Sequence, residues 1–164
     1  MINIFKGKDA TVISGITDYT WMQLLSEIGS DLTKWPSEKH FTSWLGLSPG
    51  QNDSGKKKRS AKKKGRPLAG QIFRMIAQGL INSKNIAIGS FGRRLRGRKG
   101  PKIAIKAMAR KLAILYWRII VKGVDYAEKG IEKYEDNLKE NKMKLLNKLI
   151  KELNYEMPKN VHVG

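Results

Sequence analysis

The chain has 164 residues, with 33 Lys or Arg against 14 Asp or Glu and a formal net charge of +19. A chain of this length buries about 68–70% of the surface its unfolded form exposes, which excludes disorder by composition, and a charge this far from zero calls for a polyanionic partner. With no cysteine and only His40 and His162, a disulfide framework, a thiolate zinc site, a cysteine nucleophile and a histidine metal cluster are all excluded.

The first ten residues, MINIFKGKDA, lack the apolar stretch of a signal peptide. The most apolar run, residues 113–121, is broken by Arg118 and too short for a membrane span. A cytoplasmic protein without membrane contact is expected. Residues 1–8 read as a leader. Residues 12–28, VISGITDYTWMQLLSEI, have the outline of a helix-hairpin-helix element, in which the turn at Gly15 presents backbone N–H groups to a DNA phosphate. Such elements usually carry a second glycine where Thr17 stands, so an ordinary helix start is the competing reading.

Apolar residues recur at three and four in most segments, so an all-α, small multi-helix domain is expected. Thr17 or Asp18 can cap a first helix with Trp21, Leu24, Leu25 and Ile28 on one face and Gly29 at its end. Ser37 can cap a short second helix with Phe41, Trp44 and Leu45 inward, stopped by Gly46 and then Pro49. Residues 47–66 have no periodicity and carry eight cations, Lys56, Lys57, Lys58, Arg59, Lys62, Lys63, Lys64 and Arg66. They read as a long basic loop, where function is to be sought. A third helix follows from Pro67 with Leu68, Ile72, Met75 or Ile76 and Leu80 as its stripe and Arg74 to the outside. Residues 86–97 offer a shorter helix ending in Arg93, Arg94 and Arg96, interrupted by GRKGP at 97–101.

From 101 to about 122, Ile105, Met108, Leu112, Leu115 or Tyr116 and Ile119 fall at helical spacing, with Lys102, Lys106 and Arg110 repeating at four on the other side. Like charges so placed repel, and a phosphate backbone turns that cost into binding. Residues 124–156 switch to mixed-sign charge with Ile131, Tyr134, Leu138, Leu145, Leu149 and Leu153, which predicts an amphipathic extension of one long or two short helices. It serves either the domain's own core or a second subunit. Residues 157–164 read as a frayed tail.

The charge is concentrated. Residues 54–124 hold 21 Lys or Arg and no Asp or Glu, leaving a balance of −2 for the rest of the chain. Such a block marks a phosphate-binding surface. No carboxylate metal site stands out: Glu27, Asp31 and Asp53 are isolated, and Glu128, Glu132 and Asp136 share a lysine-rich helical face that reads as solvated. Ser54, next to Gly55 between Asp53 and Lys56, has reach and nearby cations. From composition alone Ser-Gly is chiefly a turn former.

The ordered string Ile13-Ser14-Gly15-Ile16, Glu27-Ile28-Gly29, Trp35-Pro36-Ser37, Phe41-Thr42-Ser43-Trp44-Leu45-Gly46-Leu47-Ser48-Pro49, Ser54-Gly55, Lys64-Gly65 and Ala109-Arg110-Lys111-Leu112 resembles the C-terminal domain of the DEDD-type insertion-sequence transposases. These are bridge-RNA-guided serine recombinases related to pilin-gene DNA invertases. The resemblance runs from residue 9 to 123. It implies DNA transposition and recombination in a bacterial, nucleoid-associated setting, with Ser54 as the nucleophile that forms a covalent phosphoserine link to DNA. It further implies Mg²⁺ bound by an acidic RuvC-like domain that does not precede Met1, hence a truncated or split transposase, inactive alone, whose partners are DNA, a guide RNA and an N-terminal half or further copies of itself. The alternative is a non-catalytic basic nucleic-acid-binding or regulatory protein.

Overall fold

Residues 8–49, 67–83 and 87–153 are described by a computed structural model, whose chain forms two compact units, Met1–Glu128 and Lys129–Gly164. The all-α expectation holds: among the described residues there are six α-helices and no strand. They are α1 (Asp18–Ile28), α2 (Glu38–Trp44), α3 (Leu68–Leu80), α4 (Ala87–Lys99), α5 (Pro101–Lys122) and α6 (Val124–Glu152). A single 3₁₀ turn, Ala10–Val12, precedes α1.

Thr17, rather than Asp18, caps α1. Its hydroxyl accepts from the Thr20 N–H at 3.3 Å while its own N–H donates to the Thr20 hydroxyl at 2.8 Å, a capping box closed by two threonines. Asp18 then sits in the first turn, where a carboxylate complements the helix dipole. At the other end Gly29 donates to the Leu25 carbonyl at 2.8 Å with φ +85°. Trp21, Leu24 and Ile28 are buried, as their spacing predicts.

On α2, Ser37 is the cap and Phe41 and Leu45 are buried, but Trp44 departs from expectation and stays 40% exposed. Thr42 is buried in its place, its hydroxyl bonded to the Lys39 carbonyl. Residues 41, 42 and 45 span one arc of a short helix, and 44 falls on its rim. On α3, Ile76 rather than Met75 completes the stripe. Ala69, Ile72, Phe73, Ala77 and Leu80 are also buried, whereas Met75 is 65% and Leu68 54% exposed. The helix therefore buries a wider stripe than one residue per turn, displaced from both.

The glycine-proline break expected at 97–101 is narrower than composition indicates. α4 runs through Lys99, and Gly100 alone, with φ +84°, separates it from α5. α5 begins at Pro101 and ends at Lys122, as predicted, and packs against α2, α3 and α4. Flanked by three helices, it buries Ala104, Met108, Ala109, Leu112, Ala113, Tyr116, Trp117, Ile119 and Ile120 around most of its circumference. Tyr116 takes the place left open between it and Leu115, packing edge-on to Phe73 at 5.7 Å and roughly parallel to Phe41 at 6.4 Å. Burial pushes its hydroxyl well above the usual phenol range, an effect that the neighbouring Trp21 side chain partly offsets.

Arg118, which interrupts the apolar run, closes a bidentate pair with Glu38 of α2 at 2.6 and 2.8 Å. The Arg118 hydrogen bond is the main force holding the Glu38 carboxyl below its usual value, against partial desolvation. A carboxyl depressed in the folded state contributes stability that is complete above its unfolded pKa and is lost as pH falls through the folded one. Glu38→Gln is therefore expected to cost on the order of 1 kcal/mol at pH 7, the pair being part-exposed, and much less at an acid pH where the carboxyl is protonated in both states. Urea midpoints at the two pH values check this; an equal loss at both would contradict it.

The second unit contains the greater part of α6. This is one helix, not two, and its Met143, Leu145, Leu146 and Leu149 side chains are exposed, as is Leu153 just past its end.

Candidate nucleic-acid interface

The Gly-Leu-x-Pro motif has a physical explanation at the end of α2. Gly46, at φ +67°, donates to the Ser43 carbonyl, and Leu47 donates to the Thr42 carbonyl, both at 3.0 Å. This pair of bonds is a Schellman ending, which needs a residue with positive φ at position 46 and places a buried apolar residue, here Leu47, just after it. Pro49 cannot continue the helix.

The chain re-emerges beside the same point. α3 starts after Pro67, which supplies no side-chain cap. Instead Glu27 of α1 accepts from the Leu68 N–H at 3.3 Å. One turn on, Gly70 lies so close to the Leu45 carbonyl that a Cβ would overlap it. Arg74 donates to the Gly46 carbonyl at 3.1 Å and is partly buried there, not turned outward as expected. The segment 50–66 thus leaves from the C-terminus of α2 and returns onto it. Ser54, Lys56, Lys57, Lys58, Arg59, Lys62, Lys63, Lys64 and Arg66 belong to that segment and lie outside the described residues.

Gly15 is fixed by two constraints. Its φ is +89°, and an added Cβ would fall 2.8 Å from Ile76 Cγ2 and 3.0 Å from Leu80 Cδ1. The turn therefore tucks under α3. The Ser14 and Gly15 N–H groups have no partner among the described residues, while the N–H of Ile16 donates to the Ile13 carbonyl at 2.9 Å.

The arginines of α4 separate into two kinds. Arg93 donates to the Ile81 carbonyl at 3.3 Å, to the Ser83 carbonyl and to the Ser90 hydroxyl at 3.1 Å. It satisfies the carbonyls that the end of α3 leaves open, a structural role that Gly89 permits by letting α4 approach the Leu80 and Ser83 carbonyls. Arg96 contacts Asn82 at 3.2 Å from an exposed position. Arg94, Arg98, Lys99 and Lys102 are exposed and form no ion pair among the described residues. Lys106 and Arg110 do not lie on an open face; both are half-buried because α5 is flanked on three sides, and one Arg110 guanidinium nitrogen is buried without a partner among the described residues.

Lys111 was not picked out as a binding residue from the sequence, where it is one cation among many. Its ammonium sits 4.1 Å from the Phe91 ring centre, and burial first, then Arg94, lowers its pKa. At the start of α5, the first turn holds Lys102 and no acid, and the Gly100 cap offers no side chain. A cation at a helix N-terminus is disfavoured by the dipole unless an anion lies nearby. Among the described residues no three His, Asp or Glu side chains group to hold a metal ion. None of the helices searched among them is long and apolar enough to cross a membrane.

Residues 10–91, half of the chain, match the family described as Transposase IS116/IS110/IS902 family. The match takes in the Gly15 turn, α1, α2, the roots of the 50–66 segment and α3. No curated protein and no solved structure gives a significant match.

Proposed function

The chain belongs to the IS116/IS110/IS902 transposase family, and from that premise we propose that it is a nucleic-acid-gripping transposase domain that presents Ser54 as a nucleophile to a DNA phosphodiester. The observation that carries this reading is the root of the 50–66 segment. The end of α2 and the start of α3, joined by the Gly70 approach to Leu45 and the Arg74 bond to Gly46, with Glu27 of α1 on the Leu68 N–H, flank a stretch of sequence that contains eight cations and Ser54. The cations neutralise phosphates and steady charge on the phosphorus oxygens; the serine supplies the attacking oxygen. Arg94, Arg96 and Lys102, with Arg98 and Lys99, extend the track, and the Ser14 and Gly15 N–H groups, without a partner among the described residues, add a helix-hairpin-helix-like phosphate contact. In this reading a guide RNA, Mg²⁺ and an acidic domain that binds it complete the reaction, and residues 1–164 by themselves bind but do not cut.

The second reading is a binding or regulatory protein without chemistry. It is favoured by the block of 21 Lys or Arg without an acid at residues 54–124, which accounts for binding with no reaction.

Both readings require salt-sensitive, sequence-tolerant binding to DNA and structured RNA. If 6–10 phosphates are neutralised, affinity falls roughly 10³- to 10⁵-fold between 50 and 200 mM salt. Filter binding across that range tests it, and a flat profile would sink both readings. Arg94→Ala and Lys102→Ala should each reduce the salt slope by about one. Arg93→Ala should instead lower the unfolding midpoint, because it leaves two carbonyls unpaired.

A further inference from the structure

We propose that α6 is a self-pairing helix, through which two copies of this chain associate in antiparallel orientation. The inference does not rest on nucleic-acid binding. It begins from the exposed large apolar side chains of the C-terminal half, Met143, Leu145, Leu146, Leu149 and Leu153. A row of this kind on one helix marks an interaction surface.

Charge identifies the occupant. From 124 to 136, α6 carries five acids, Asp125, Glu128, Glu132, Glu135 and Asp136, against two lysines, a balance of −3. From 137 to 152 it carries five lysines, Lys139, Lys142, Lys144, Lys148 and Lys151, against two glutamates, a balance of +3. A second copy laid antiparallel brings each acidic half beside a basic half, whereas a parallel copy sets like against like.

The helix dipole accounts for acid in the first turn and lysine in the last, but its influence ends within those turns. Glu132, Glu135 and Asp136, and Lys139, Lys142 and Lys144, lie beyond it. The ion pairs within the helix, Asp136 with Lys139, Glu140 with Lys144 and Lys148 with Glu152, leave Lys142 and Lys151 without an ion-pair partner among the described residues.

The rest of the chain favours the same orientation. Residues 1–128 hold 25 basic and 8 acidic residues, a balance of +17. In a parallel pair both of these blocks join the helices at one end. In an antiparallel pair the junctions at Gly123 are about 40 Å apart, from 29 residues at 1.5 Å each, several times the ~8 Å screening length at physiological salt.

The test uses the full chain, free of nucleic acid, at physiological salt. Sedimentation should show a concentration-dependent monomer–dimer equilibrium. Glu128→Lys with Glu135→Lys makes both halves of α6 basic; Lys142→Glu with Lys151→Glu makes both acidic. Each double variant alone should self-associate at least about tenfold more weakly, and an equimolar mixture of the two should recover association. Circular dichroism confirms that both remain helical.

Because the chain has no cysteine, Asn147→Cys gives one label per copy. Donor and acceptor at 147 should report about 27 Å in the antiparallel pair, against the ~10 Å spacing of two parallel helices. A native chain that stays monomeric up to about 100 μM overturns the proposal. So do double variants that associate as tightly as the native chain, or labels found side by side.

Discussion

Ser54→Ala is expected to abolish covalent attachment of the protein to DNA while leaving DNA affinity nearly unchanged. In the proposed reading, attack by the Ser54 oxygen on a backbone phosphorus forms an Oγ–P bond and breaks the P–O3′ bond. The serine proton ends on the departing 3′ oxygen, so a phosphoserine link and a free 3′ hydroxyl result. A serine hydroxyl is a weak nucleophile until its proton is taken and the leaving oxygen is steadied. In the proposed reading that help comes from an acidic domain with bound cations, so the experiment supplies this domain in trans together with guide RNA, Mg²⁺ and target DNA. Denaturing gels then score a protein–DNA adduct. Affinity should hold because a neutral hydroxyl adds little to phosphate binding beside eight cations in the same segment.

Ser60→Ala is the matched control. It removes a hydroxyl from the same basic stretch without touching the Ser-Gly pair, and should leave the adduct intact. An adduct that survives Ser54→Ala would assign the nucleophile elsewhere. No adduct in any reconstitution, with binding intact, would leave the non-catalytic reading as the better one.

What could be read from sequence follows from the range of the forces involved. Local signals were legible: the Thr17 cap, the Gly29 and Gly46 endings and both bounds of α5 are dictated within a turn or two of chain. Roles set by distant partners were not. Arg93 reads as one of a run of cations, and nothing nearby in sequence shows that its guanidinium meets the end of α3. Arg74 reads as exposed until α3 is laid against Gly46. Trp44 and Leu68 read as buried but are exposed, because helical spacing gives the period of a buried stripe but not its centre, which the neighbouring helices decide. Of the candidate site, its roots at α2 and α3 are described, whereas Ser54 and its adjacent cations lie outside the described residues.

Those roots lead to the largest expected loss of stability. Gly70 sits in the first turn of α3, against the carbonyl of Leu45 at the close of α2. Its surroundings are backbone, which cannot rotate away as a side chain would. An added methyl must therefore push α3 from the Schellman ending of α2 and strain the Arg74 contact with Gly46. Gly70→Ala is expected to cost about 2–4 kcal/mol, despite the better helix propensity of alanine. Gly79, in the same helix, has nothing within 4 Å of the Cβ position. There the same substitution should stabilise by roughly 0.5–1 kcal/mol through propensity alone. Urea unfolding of the two variants beside the native chain separates local propensity from the packing of α3 on α2. If Gly70→Ala matches or exceeds the native midpoint, α3 does not bear on Leu45 as described, and the end of α2 and the start of α3 are not pinned together. If it falls as expected, the loss measures how closely the first turn of α3 bears on the end of α2.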